Sequence, residues 1–333
     1  MFGLGSARVR GASGYLLYVS NERSGDVSVI DGESRAVLRT LPAGKRPRGL
    51  HLSADGHTLY VAVSGSPRMG PGADPERARN QQADKSADGI VLIDTESGRV
   101  QRKLSVGSDP EQFALSPDGA RVFVSNEDEA TLSCWDIQSG RKVFATKVSE
   151  EPEGVAVHPV LEDVYVTCEA HGDVFVLDQE NGGELAHFQV RGRPRSVAFL
   201  PDGLHAYIPA EGEAEVSAVD TVLKKVAQTI RIEGADVRPM GAVPSWDGHE
   251  VYVSTGQGNL VAVINADKNA VDATIKVGGR PWGIALGPDG HTLYTANGNS
   301  NDVSVVDVQA RKEIGRVKAG DGPWGLVVGP KLP

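Results

Sequence analysis

A seven-bladed, all-β propeller of four-stranded antiparallel blades is the fold this sequence predicts. The first observation is a phrase that recurs seven times. An aromatic residue opens a short strand at Tyr18, Tyr60, Phe123, Tyr165, Tyr207, Tyr252 and Tyr294, and a second strand follows that ends in Asp or Asn. The second observation is the spacing of 42, 63, 42, 42, 45 and 42 residues between copies. A repeat of that length made only of short strands and turns is a propeller blade. The third is that the chain starts and stops in mid-repeat, with complementary fragments at its two ends.

Each copy divides into four elements. In the last complete one, RPWGIALGPDG (280–290) carries the inner strand, HTLYTANGNS (291–300) the second, NDVSVVDVQA (301–310) the third and RKEIGRVKAG (311–320) the outer one. The first two mix β-branched, aromatic and small residues, and VSVVD alternates apolar with polar at the period of a half-buried strand. Pro-Asp-Gly, Asn-Gly and Asn-Asp make the turns, because Gly and Asn tolerate positive φ. Inner strands open at Pro47, Pro110, Pro152, Pro194, Pro239, Pro281 and Pro323. Third strands end at Asp31, Asp94, Asp136, Asp178, Asp220 and Asp307, with Asn265 in the remaining copy. Side-chain oxygens there can bond turn amides, a structural role that every copy needs. His57, His205, His249 and His291 fall in or beside the first-to-second-strand turns and are expected at the surface.

The fragment YLLYVSN (15–21) is a second strand and PWGLVVGP (323–330) a first strand. The C-terminal strand is therefore expected to join the N-terminal blade on its inner side, closing the ring and removing an open edge. Residues 1–14 form a short leader and 15–333 a single propeller. The spacing of 63 marks a 21-residue insertion in blade two, within about 64–89. Its Pro, Gly and mixed charge suggest a long loop, either a lid or docking arm over the mouth or a plain surface excursion.

Hydrophobic residues make up 40% and charged residues 23% of the chain, as in a protein with a buried core. The net charge of −10 argues against general nucleic-acid binding, which needs a Lys/Arg surplus. Cys134 and Cys168 fall in different blades and are expected to be unpaired structural thiols. No run reaches the ~18 apolar residues of a membrane span, and MFGLGSARVRGASG contains no secretory h-region. A monomer is expected.

Function should sit where the copies disagree, in loops that the blades hold in place. The residue after each inner-strand proline should ring the channel mouth. In blade order these are Trp324, Arg48, Glu111, Glu153, Arg195, Met240 and Trp282. Blades six, seven and one thus present Met240, Trp282 and Trp324, whereas the other arc carries Arg and Glu. Arg46, Asp109, Glu151, Arg193, Arg238 and Arg280 precede the prolines, and Glu22, Glu127, Glu169 and Glu211 stand in the second-to-third-strand loops. Glu111, Glu127, Glu153 and Glu169 are candidate ligands for Ca²⁺ or Mg²⁺, with His171 and Cys168 admitting a transition metal. The competing reading is an acidic rim paired with Arg48 and Arg195. On the aromatic arc, Trp282 and Trp324 could stack a planar group while Arg238 and Arg280 pair with its carboxylates or phosphates. Alternatively, the two indoles plug the channel as packing.

The segments YVSNERSGDVSVID (18–31), GKRPRGLHLSADG (44–56), DPEQFALSPDG (109–119) and TANGNSNDVSVVDV (295–308) resemble the YVTN-repeat β-propellers, in particular those associated with pyrroloquinoline-quinone-dependent catabolism. The resemblance covers about residues 15 to 330. It implies a seven-bladed ring and an extracytoplasmic location, a cytoplasmic one remaining open because the chain shows no signal peptide. Relatives include surface-layer propellers, haem d1 propellers and lactonases. No catalytic motif transfers residue by residue, and His171 alone lies in a mouth-facing loop where a haem ligand is needed.

Three functions follow as expectations. A non-catalytic binding or scaffold propeller recognises a small molecule or protein partner at the mouth, and is favoured because no Ser-His-Asp order, zinc spacing or phosphate loop is present. A metal-dependent hydrolase of lactone type would use Glu111, Glu153 and Glu169 to hold an ion that activates water. A carrier or assembly factor would hold a redox cofactor such as a quinone.

Overall fold

The computed structural model describes residues 14–67 and 82–332. Seven four-stranded antiparallel sheets form a ring. Blade one pairs β1 (Tyr15–Asn21), β2 (Asp26–Asp31) and β3 (Val37–Pro42) with β28 (Pro323–Pro330) as its inner strand, in the order β28-β1-β2-β3. Blades two to seven follow in chain order: β4–β7 (50–104), β8–β11 (110–147), β12–β15 (152–189), β16–β19 (198–231), β20–β23 (242–276) and β24–β27 (281–318). The expected closure is present, since Leu16 to Val19 pair with Gly329 to Leu326. Residues 1–13 of the 1–14 leader and most of the blade-two insertion (68–81) lie outside the described residues.

The recurring aromatic has one job, which is to fill the seam between its own blade and the next. Tyr18 packs on Leu59, Val61 and Val91 of blade two, and Tyr60 on Phe113 and Val122 of blade three. Phe123 meets Val164 and Val166, Tyr165 meets Ala206 and Ile208, and Tyr207 meets Val251 and Val253. Tyr252 meets Leu293 and Val306. Tyr294 completes the circle against Leu17 and Val19 of blade one, and its hydroxyl is 2.5 Å from that of Tyr15. A blade is too thin to bury both of its faces alone, so each seam supplies about a seventh of the core. Cys134 and Cys168 are free, buried thiols in the seam of blades three and four. Burial pushes them up to about 11 and about 12, so neither is a ready nucleophile or metal ligand.

The Asp at the end of each third strand caps the following turn. Asp136 Oδ1 accepts from the Ser139 amide at 2.7 Å, Asp220 from Leu223 at 2.8 Å and Asp307 from Ala310 at 2.8 Å. Asn265 does the same for Lys268 at 3.0 Å. His57, His205, His249 and His291 are exposed, as expected.

At the mouth, four of the inner strands carry an extra residue, β28 among them. Pro110 and Phe113 pair with Asn126 and Val124, Pro152 and Val155 with Cys168 and Val166, and Pro281 and Ile284 with Asn297 and Thr295. Three steps on one strand oppose two on its partner, which is a β-bulge, and a bulge turns a side chain out of the pleat. The residue after the proline is the one turned inward. Neighbouring strands then approach closely: a Cβ on Gly283 would lie 2.7 Å from the Trp324 carbonyl oxygen, and one on Gly154 2.7 Å from that of Arg195.

Candidate functional site at the channel mouth

The starts of the inner strands, four of them bulged, bring the seven ring residues together at the mouth. Arg48, Glu111, Glu153, Arg195, Met240, Trp282 and Trp324 are all buried. Seryl hydroxyls of the second strands fix their backbones: Ser20 donates to the Arg48 carbonyl at 2.6 Å and Ser125 to that of Glu153 at 2.6 Å. The ring is thus a preformed floor.

Its charged half is organised by two arginines. Arg48 reaches into blade three, where it binds Asp109 at 2.6 Å, the Pro110 carbonyl at 3.0 Å and Glu111. Arg195 is shared by Glu153 at 3.3 Å, Glu169 and Glu211. Arg193 backs Glu169 with its Nε at 2.8 Å, and Arg238 stands 3.5 Å from Glu211. Arg46 pairs with Glu22 at 3.1 Å. The four candidate metal carboxylates therefore divide: Glu111 goes to Arg48, whereas Glu153 and Glu169 go to Arg195. Among the described residues, the carboxylates close enough to share an ion are Asp109, Glu111 and Glu127, within 4.8 Å of one another. Asp109 was a neighbour of the predicted set and not a member of it. His171 stands apart and exposed, 4.0 Å from Glu150.

The charges set the protonation states. Burial tends to raise Asp109, but Arg48, the Ser64 hydroxyl and Arg46 override it and hold the group below the usual carboxylate range. Glu211 is lowered in the same way, Arg195 overcoming burial. Among the described residues, Glu127 makes no ion pair of this kind. Burial, and then the Asp109 charge, push it up to about 7 despite Arg48. Burial also raises Glu153.

The other half of the ring is an aromatic cluster. Trp282 and Trp324 stack with centroids 5.2 Å apart and planes at 29°, with Met240 packed against them. Guanidinium groups lie over Trp282, Arg280 at 4.7 Å and Arg195 at 5.2 Å. Arg195 thus joins the two halves. The indoles are largely covered, 9% and 7% exposed, and the accessible charge beside them comes from Arg280 and from Arg238, whose side chain is 46% exposed.

One feature of this rim escaped sequence reasoning. Arg46, Asp109, Glu151 and Arg280, each just before an inner-strand proline, have φ of +43°, +49°, +53° and +56°. Left-handed backbone costs a non-Gly residue roughly 1 kcal/mol or more. Four copies accept that cost to hold a charge at the mouth. The signal was in the alignment of copies, because Gly322 occupies the same place in the copy that has no charge there.

No helix among the described residues is long and apolar enough to cross a membrane. Comparison with known proteins gives similarity on two levels. A stretch of 138 residues is 31% identical to antigen Lp49 of Leptospira interrogans, covering 33% of this chain and 30% of that protein. Another of 46 residues is 48% identical to YncE of Salmonella typhi, covering 14% of this chain and 13% of that one. The chain matches less than a third of the length of these curated relatives. Among solved structures, a putative 6-phosphogluconolactonase from Bacteroides uniformis superposes with a TM-score of 0.76 at 17% identity, covering 95% of this chain and 99% of that one. AztD of Citrobacter koseri gives 0.66 at 15%, covering 96% and 99%. The dihydro-heme d1 dehydrogenase NirN gives 0.65 at 15%, covering 91% of this chain and 63% of that one. At such identities these likenesses show the fold alone. Residues 87–314 match the PQQ_2 propeller family, described as outer membrane protein assembly factor BamB, and the chain belongs to that family.

Proposed function

We propose that the protein is a non-catalytic binding propeller acting outside the cytoplasm, whose mouth takes a planar anionic small molecule on the arc of Met240, Trp282, Trp324, Arg238 and Arg280. The observation that carries this reading is the internal balance of charge on the other arc. Arg48 and Arg195 are engaged by carboxylates from blades three, four and five, which makes that half a fixed polar floor. Arg280 lies over Trp282 of the stacked indole pair, and the half-exposed Arg238 stands at the rim 3.5 Å from Glu211. Stacked rings with flanking guanidinium groups favour a flat ligand that carries carboxylates or phosphates. The extracytoplasmic location rests on the family alone.

The test is a fluorescence titration with pyrroloquinoline quinone, a planar tricarboxylate, against an uncharged benzoquinone. Saturable quenching by the first and none by the second is expected. Arg280→Gly, which the left-handed backbone tolerates, should weaken binding about tenfold, the ~1.4 kcal/mol of one charged contact, and leave Tm in place. Trp282→Ala and Trp324→Ala variants that fold normally and keep the full response would rule out the stacking arc.

A second reading has one specific observation in its favour, the Asp109, Glu111 and Glu127 group. With a divalent ion it would polarise a lactone carbonyl and activate water. Arg48 opposes this reading, because its guanidinium already supplies the positive charge that Asp109 and Glu111 attract.

A further inference from the structure

On the face opposite the mouth, a cleft of about 600 Å³ opens between blades six and seven. Its wall is built on the turn Ser245-Trp246-Asp247-Gly248. The same turn in other copies has Ala54, Pro117, Pro201 or Pro288 in place of the tryptophan. Proline or alanine at that position satisfies the turn, so the fold does not call for an indole there. Trp246 is nevertheless 52% exposed. It is also held firmly: Nε1 donates to the Gly287 carbonyl of blade seven at 3.1 Å, and a Cβ on Gly290 would come within 2.6 Å of its ring. An exposed aromatic surface fixed by a hydrogen bond and a glycine seat is preorganised for contact.

The polar groups around it set the class of ligand. Four carboxylates face one arginine, which disfavours a phosphate or another anion. These carboxylates are also hydrogen-bonded, and so are poor cages for a cation. Glu250 accepts from the Tyr252 hydroxyl at 2.7 Å and from Arg311 at 3.0 Å. Asp289 accepts from the Thr292 hydroxyl at 2.6 Å and the His291 amide at 2.9 Å. Asp247 accepts from the Ser245 hydroxyl at 2.6 Å, and Asp272 from Asn265 at 3.2 Å. Each keeps lone pairs that can accept from ligand hydroxyls. A cation cage would also need several aromatic faces, and Tyr252 is buried.

We propose that this cleft is a saccharide-binding site, in which the apolar face of a pyranose ring lies on Trp246 and its hydroxyls bond to Glu250, Asp272, Asp289 and Arg311. The site is separate from the mouth, and it stands or falls independently of the function proposed above. Fluorescence titrations of the full chain with maltose, cellobiose and chitobiose test it, with choline as the cationic control. At least one disaccharide should give a saturable change. Trp246→Pro, which restores the residue of the other blades and so keeps the turn, should weaken that binding at least about tenfold, whereas Trp282→Ala should leave it unchanged. The proposal is overturned if no disaccharide gives a saturable response, if Trp246→Pro binds as the parent does, or if choline alone binds.

Discussion

Glu127 is a mouth carboxylate whose environment raises it to near neutrality, in contrast to Asp109 and Glu211, which are held below the usual range. Its value rises from the ordinary 4.5 to about 7, first through burial and then through the Asp109 charge. A carboxyl raised on folding takes up a proton between about pH 4.5 and 7, so stability declines as pH rises through that window. Above the window the cost is fully present. Glu127→Gln should therefore stabilise the protein by about 1–3 kcal/mol at pH 8, and by nothing below pH 4.5. Paired thermal melts across that range check it, and a gain that is the same at pH 4 and pH 8 would mean that the charge plays no part. At this scale the sequence was legible only in part. The ring positions could be named by counting from each proline, but the partner of each arginine depends on which blade stands beside it. Arg48 looks forward to Asp109 in the next blade, whereas Arg195 looks back to Glu153 in the previous one and sideways to Glu211 in its own. No periodicity within one repeat encodes that difference. Trp246 was readable in the same way as Trp282, as an aromatic where the other copies have none, although it lies in a first-to-second-strand turn and not in a mouth loop.

At the scale of the element, the aromatic seam residue is the unit that makes a strand quartet into a blade. Its recurrence was plain in the sequence, and so were the four strands, the turn-capping Asp residues and the ring closure, because each depends on local pattern repeated seven times. The inner-strand bulge was not, since an extra residue in a ladder leaves no mark on hydrophobic spacing. Tyr165 is fully buried between blades four and five, against Ala206 and Ile208. Tyr165→Ala should cost about 3–5 kcal/mol, as for other large aromatic truncations in a core. Urea unfolding measures this directly. A loss below 1 kcal/mol would show that the seam collapses onto the gap and that the aromatic is not what joins the blades.

For the whole molecule, closure and charge balance are the two properties that matter. The final strand β28 holds blade one to the rest of the ring through its ladder with β1 and through Trp324 in the mouth cluster. Deleting residues 320–333 removes an inner strand, opens a sheet edge and breaks the aromatic arc together. Tm should fall by more than about 10 °C, the shift that a loss of several kcal/mol produces in a chain of this size. An unchanged melt would refute closure by this strand. Function at this scale turns on whether the mouth binds or catalyses, and that depends on whether Arg48 or a metal ion neutralises Asp109 and Glu111. Calorimetric titration of the full chain with Ca²⁺ at neutral pH distinguishes the two most directly. With Arg48 in that role, no saturable stoichiometric binding is expected. A 1:1 isotherm that disappears in Glu127→Gln would contradict the charge-balanced floor on which the proposed function rests and establish a metal centre at the mouth.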